Sequence, residues 1–253
     1  MQVLINHWSG FVGLFVALLL MLELGRRIGR RRVQADPTWD NRGVNTLENT
    51  LLALLGLLLA FTFSGAWSRF DARRDLILKE TNAIGTAWLR IDLVPGPVRT
   101  NLQASFRQYV DQRIALTAAN ETKPSARIIA LQQDIWRQAT AASLAASDGR
   151  VGQLLLPALN DMFDIATARH LAVLTHPPGI IFLMLLTMTF LACLLAGYGM
   201  AGGSQRSWLH ILCFAGAMIM AIYVTIDLEY PRKGLVRIDG YDALLVDLRA
   251  GME

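Results

Sequence analysis

Charge is scarce in this chain. Only 17% of its 253 residues are Asp, Glu, Lys or Arg, while 53% are hydrophobic, and an ordinary soluble domain carries charge on about a quarter of its residues. With a mean hydropathy of +0.37, the composition excludes a conventional water-soluble globule and points to a membrane protein. Cysteine is nearly missing as well. Cys193 and Cys213 both fall inside apolar runs, which excludes a disulfide framework and leaves the redox compartment open. The four histidines, His7, His170, His176 and His210, are scattered over different segments. A metal site needs converging ligands, so none is assigned. No serine or cysteine sits in a nucleophile elbow, and the carboxylates of the middle region fit the wet faces of amphipathic helices, so neither an enzyme nor a cofactor is expected.

What the chain has instead is long apolar runs. A bilayer core of about 30 Å takes roughly 20 apolar residues in helical form, because a helix satisfies its own backbone there. Four segments qualify: Trp8 to Gly25, Leu47 to Trp67, Gly179 to Met200 and Ser207 to Ile226. The first has its charges after the apolar run and no positive stretch before it, so it reads as a retained helix and not as a signal peptide. Ala201 to Arg206 suits only a tight connection between the last two. The resulting division is a first transmembrane pair with a basic loop in 1–67, a helical domain in 68–178, a transmembrane hairpin in 179–228 and a tail in 229–253. The string "GYGMAG" at 197–202 matches a dinucleotide fingerprint, but it follows an apolar helix where that fingerprint needs a strand. "NET" at Asn120 has the form of a glycosylation acceptor and no secretory context to support it.

Between the pairs the pattern is helical, with breakers at "PGP" (95–97), Pro124, "SDG" (147–149) and "HPPG" (176–179). Roughly four helices follow. Leu102, Phe106, Tyr109, Arg113 and Leu116 recur at helical spacing as one buried stripe, as do Ile128, Leu131, Ile135 and Ala142, and Leu155, Leu159, Met162 and Ile165. Such stripes call for a bundle. No stretch reads as a sheet, and there is neither an internal repeat nor a low-complexity tract.

The formal charge of +4 does not imply nucleic acid, because the arginines cluster beside apolar segments. "RRIGRRR" at 26–32 directly follows the first helix. By the positive-inside rule it places 26–46 in the cytoplasm and 68–178 outside it. Arg69, Arg73, Arg74 and Lys79 after the second helix, and Arg232, Lys233 and Arg237 after the fourth, pull the other way.

The second apolar segment carries two stripes. Gly56, Ala60 and Ser64 recur every four residues, the spacing of small residues that lets helices approach closely in lipid. Glu48, Leu55, Leu59, Thr62, Ala66, Arg69, Arg73 and Glu80 share another face if the helix continues past Trp67. That face is apolar in the middle and charged at both ends. In an oligomer it would line a pore, with Glu48, Leu55, Leu59 and Thr62 along it and the arginines at a vestibule; alternatively, Glu48 and Arg69 mark the two interfaces while Leu55 and Leu59 face lipid or a neighbour. Two ionisable residues lie near helix ends: Glu23, within reach of Arg26 or Arg27, and Asp227, close enough to an end to meet water.

"RFDARRDLILKETNAIGTAWLRIDLVP" directly after "LLGLLLAFTFSGAW", with "DLEYPRKGLVRI" after the last apolar helix, resembles the bestrophin-like family of mostly bacterial membrane proteins, largely a domain of unknown function. The resemblance spans nearly the whole chain. It singles out Arg69, Asp71, Arg73, Arg74, Glu80, Asn82, Thr86 and Arg90, and in the tail Pro231, Gly234 and Arg237. By analogy with true bestrophins it implies an oligomeric anion channel, although the basic run places the middle domain outside the cytosol, where bestrophins keep theirs within it. The expectation is therefore an all-α membrane protein of the bacterial inner membrane, with two pairs of transmembrane helices flanking a helical-bundle domain. Its partners would be the lipid bilayer, further copies of itself and small inorganic ions. The alternative is a non-conducting scaffold or sensor acting through the middle domain.

Overall fold

The computed structural model describes residues 8–36, 42–119, 123–146, 149–202 and 208–252. His7, the triplet at Asn120, Ser147 and Asp148 of the third breaker and the connection from Gly203 lie outside them. The described residues form helices and no strand. In chain order these are α1 (Trp8–Ala35), α2 (Arg42–Arg90), α3 (Pro97–Ala118), α4 (Ala126–Ala145), α5 (Leu156–Leu174), α6 (Gly179–Gly199), α7 (Trp208–Glu229) and α8 (Asp239–Ala250). Two differences from the sequence reading stand out. "RRIGRRR" belongs to the end of α1 and not to a loop, and the second apolar segment is the first part of one 49-residue helix. Arginine and the residues around Trp67 are adequate helix formers, and no glycine-proline break interrupts either run.

The chain divides into two compact units, Met1–Ser68 with Pro177–Val236, and Arg69–His176 with Arg237–Glu253. In the first, α1 packs most extensively on α6 and also meets α7. Leu18, Leu22, Leu55, Leu185, Cys193 and Ile222 belong to its core. Apolar burial gives little driving force between helices in lipid, where close backbone approach matters more. Glycine provides it. A methyl group on Gly25 would overlap the carbonyl of Leu194, one on Gly197 the carbonyl of Leu22, and one on Gly29 the side chain of Ala201.

In the second unit the breakers at "PGP" and Pro124 fall at helix boundaries. Gly96 adopts φ 68°, a backbone that favours glycine, and Pro97 then opens α3 at a position where its missing N–H costs nothing. The Ser125 hydroxyl caps α4 by accepting from the Ile128 amide at 3.3 Å. The three expected stripes meet in one core that includes Phe106, Tyr109, Ile135 and Leu159, joined by Ile84 of α2 and Leu245 of α8. Burying each such side chain from water is worth about 1.5–3 kcal/mol. The tail is therefore not a separate appendage, because α8 supplies part of this core.

Among the described residues, three stretches are long and apolar enough to cross a membrane, within Gly43–Leu93, Val151–Gly202 and Trp208–Glu229. The first helix, expected to make a fourth span, is not among them. Its apolar run is the shortest of the four and gives way to Glu23 and the arginines within the same helix.

Candidate functional site

Along the membrane part of α2, the two stripes differ in burial within the chain. Leu55 is only 1% exposed and sits in the first unit's own core, with Leu59 packed against it. The hydroxyl of half-buried Thr62 donates to the carbonyls of Leu58 and Leu59 at 2.9 and 3.0 Å, and Glu48 lies half-buried beside Gly199. The apolar middle of the stripe read as pore-lining is thus turned toward the subunit's own helices. Gly56, Ala60 and Ser64 are exposed instead, and a methyl on Gly56 would meet nothing. Beside them Leu57 and Phe61 are 53% and 68% exposed. Leu59, Ala60 and Phe63 of α2 and Met220, Ala221 and Thr225 of α7 line an apolar groove of about 450 Å³.

The second unit holds a buried charge cluster. Glu80 is fully buried. Arg113 donates to one of its oxygens through Nε at 2.7 Å, with its Nη2 in ion-pair distance of the same oxygen at 2.6 Å, and Arg169 donates to the other through Nη1 at 2.6 Å. The second branch of Arg169 reaches Asp242 of α8 at 2.9 Å. Two positive and two negative groups cancel, which is how ionised side chains are tolerated in an interior. Nearby Tyr109 has its phenol pushed up to about 12, chiefly by burial, with Glu80 adding to the rise and Arg113 opposing it. Arg73 is also buried, and its guanidinium holds the end of α5 by donating to the carbonyls of Ala172 and Thr175 at 3.0 and 2.9 Å. Arg73 and Glu80 are therefore interior structural groups and not a vestibule.

The rest of the arginine-rich stretch is less confined. Arg74 pairs with Asp71 at 2.6 Å and stacks over the Tyr241 ring, Lys79 pairs with Asp75, and Arg90 donates to the Leu154 carbonyl at 2.7 Å. Arg69 is half-buried, while Asn82 and Thr86 are exposed.

The tail motif closes a turn. Asp227, expected to reach water, is instead 6% exposed and accepts from the Leu235 amide at 3.0 Å and the Val236 amide at 2.8 Å. Gly234 lies so near that a methyl there would overlap the Asp227 carboxylate. Pro231 is buried at the start of the turn, and Arg237 pairs with Asp239 at 2.6 Å. Glu23 pairs with Arg27 at 3.0 Å. Among the described residues no group of three His, Cys, Asp or Glu side chains is arranged to hold a metal.

The described sites thus consist of an uncovered helix face, a buried ion cluster and a carboxylate-capped turn. The Bestrophin-like domain matches residues 9–240. The chain belongs to the Bestrophin-like family. No curated protein matches it. Solved structures do. A bacterial bestrophin homologue from Klebsiella pneumoniae, determined by zinc phasing, is 14% identical with a TM-score of 0.69, over 94% of this chain and 98% of that one. Two point variants of a bacterial bestrophin homologue from the same organism give TM-scores of 0.73 and 0.74 at 14% and 13% identity, covering 95% and 96% of this chain and 99% and 98% of theirs. At such identities the likeness shows that this Bestrophin-like chain has the fold of those homologues.

Proposed function

We propose that this chain is one subunit of a homo-oligomeric channel for small inorganic ions in the bacterial inner membrane, with anions preferred by analogy with bestrophins. In this reading α1 and the membrane part of α2, and α6 with α7, form two pairs of membrane helices flanking the helical domain of 68–178. The observation that carries it is the exposure of α2. Only 11% of its membrane window is buried within the chain, against 33% and 28% in the other two stretches. A helix this open has its remaining contacts with lipid or with other copies. Leu57 and Phe61, one turn apart, are the large apolar groups on that face and suit a constriction that gates by dewetting. Gly56, Ala60 and Ser64 allow neighbouring copies to approach beside it.

The test is ion flux through protein reconstituted in liposomes, comparing chloride with potassium. Phe61→Ala raises the flux several-fold while Leu55→Ala lowers the yield of folded protein. Silence from correctly inserted parent protein under several gating conditions overturns the channel reading. Orientation follows the basic run, with 26–46 cytoplasmic and 68–178 outside. A cysteine at Lys123 then reacts with an impermeant reagent on intact cells, and protection until lysis reverses the assignment. The scaffold or sensor reading draws support from the apolar surface of the second unit, where Leu89 and Leu144 are 71% and 85% exposed. It is favoured if that domain captures a partner and no flux is measured.

A further inference from the structure

Near the end of the α1 and α6 crossing, α1, α6 and α7 part to leave a cavity of about 210 Å³. Val16, Leu19, Leu20 and Ile211 line its apolar length, and Glu23, Arg26 and Trp208 also face it. Val16 and Arg26 are ten positions apart on one helix, so the charged end lies roughly 15 Å from the apolar end. Arg26 is 5% exposed, whereas Arg27, Arg30, Arg31 and Arg32 on the following turns are exposed. The five arginines of 26–32 outnumber Glu23, so positive charge is in excess around the charged end.

A guanidinium is planar and carries five N–H donors in a fork that matches two oxygens of a phosphate. An inorganic anion gains nothing from the apolar length, and an uncharged hydrocarbon gains nothing from the arginines. A phosphodiester joined to an acyl chain uses both. Basic pockets between membrane helices beside a run of arginines fit anionic headgroups by the same electrostatics. We propose that this cavity binds one anionic phospholipid, with its phosphate on Arg26 and one acyl chain along Val16, Leu20 and Ile211. The proposal rests on the membrane reading of the chain and is independent of conduction.

Trp208 at the cavity is a built-in reporter. Whole protein is placed in phosphatidylcholine vesicles in which a small fraction of lipid is dibrominated phosphatidylglycerol or, in parallel, dibrominated phosphatidylcholine, and tryptophan quenching is measured. The brominated phosphatidylglycerol quenches more strongly, and Trp208→Phe removes that excess. Arg26→Gln lowers the apparent affinity about tenfold, as the loss of a charge-assisted hydrogen bond would. Leu20→Phe, which fills the apolar length at an exposed position, lowers it as well, and Arg31→Gln does not. Equal quenching by the two lipids overturns the proposal. So does an equal loss in Arg31→Gln and Arg26→Gln, which would mean diffuse attraction, or displacement of the quencher by sodium phosphate, which would mean a site for free anions. If Arg26→Gln does not insert, Leu20→Phe and Trp208→Phe carry the test.

Discussion

Glu80→Gln isolates the charge of the buried cluster while keeping its shape. Glu80 is fully buried, and it receives hydrogen bonds from Arg113 at 2.7 Å and from Arg169 at 2.6 Å, with a second ion-pair contact to Arg113 at 2.6 Å. With its charge removed, Arg169 keeps Asp242, while Arg113, whose side chain is only 5% exposed, loses its carboxylate, so one positive charge is left uncompensated. Breaking a buried pair from one side costs about 3–5 kcal/mol. The glutamine oxygen still accepts one hydrogen bond, which puts the expected loss near the lower end, about 3 kcal/mol. For a chain of this size each kcal/mol moves the midpoint about 2–4 °C, so thermal unfolding of the detergent-solubilised protein shifts down by about 6–12 °C. Arg113→Met alone is comparably harmful. The double variant loses less than the sum by at least about 1 kcal/mol, because the second change removes the charge stranded by the first. A Glu80→Gln midpoint within about 1 °C of the parent, or strict additivity in the cycle, refutes the reasoning.

At the α1 and α6 crossing, Gly197→Val and Gly25→Val force a side chain into backbone and abolish monodisperse folded protein on size exclusion. Gly56→Val, with open space around it, leaves the subunit folded. In the tail, Gly234→Ala pushes against the Asp227 carboxylate and costs about 2 kcal/mol in thermal unfolding, and Asp227→Asn weakens two hydrogen bonds to a charged acceptor at about 1.5–3 kcal/mol. A neutral Gly234→Ala would falsify the close approach. Tyr109 gives a pH signature. Its phenol stays protonated in the fold up to about 12, while the unfolded chain releases that proton near pH 10. The unfolded state therefore binds fewer protons between those values, and stability falls as pH rises through that window. Tyr109→Phe flattens this slope in unfolding midpoints measured from pH 9 upward, and an unchanged slope rules out the assignment.

Much of the helical architecture was readable from local signals. Proline and glycine breakers act within a turn, so "PGP", Pro124 and "HPPG" marked boundaries that the structure places just before Pro97, just before Ala126 and at 175–178. The extent of α2 was legible only as a condition, since nothing in the run around Trp67 demands an end or forbids one. The faces of α2 stayed open in the sequence because a stripe of leucines satisfies a pore and a subunit core equally well by periodicity, and only the positions of the neighbouring helices distinguish them. Arg113 stood in a buried stripe in the sequence, which signals a carboxylate partner somewhere. That partner is 33 positions upstream, and Arg169 and Asp242 come from helices that no local pattern brings together. The glycine crossing had a readable sign in the four-residue spacing of Gly25 and Gly29, yet the arginines around it drew the reading toward topology.

The two units are interleaved along the chain, and this orders events during synthesis. Residues 69–176 emerge early, but Asp242 and Leu245, which complete their charge cluster and core, emerge only after the 60 residues of Pro177–Val236 that belong to the other unit. A nascent chain halted after Val236 has all the residues of the first unit and an unfinished second one, with Arg169 lacking one carboxylate. Neither unit can be cut out as a continuous gene segment. A fragment of 69–176 expressed alone is missing α8, and supplying 237–252 as a separate peptide is the way to restore it.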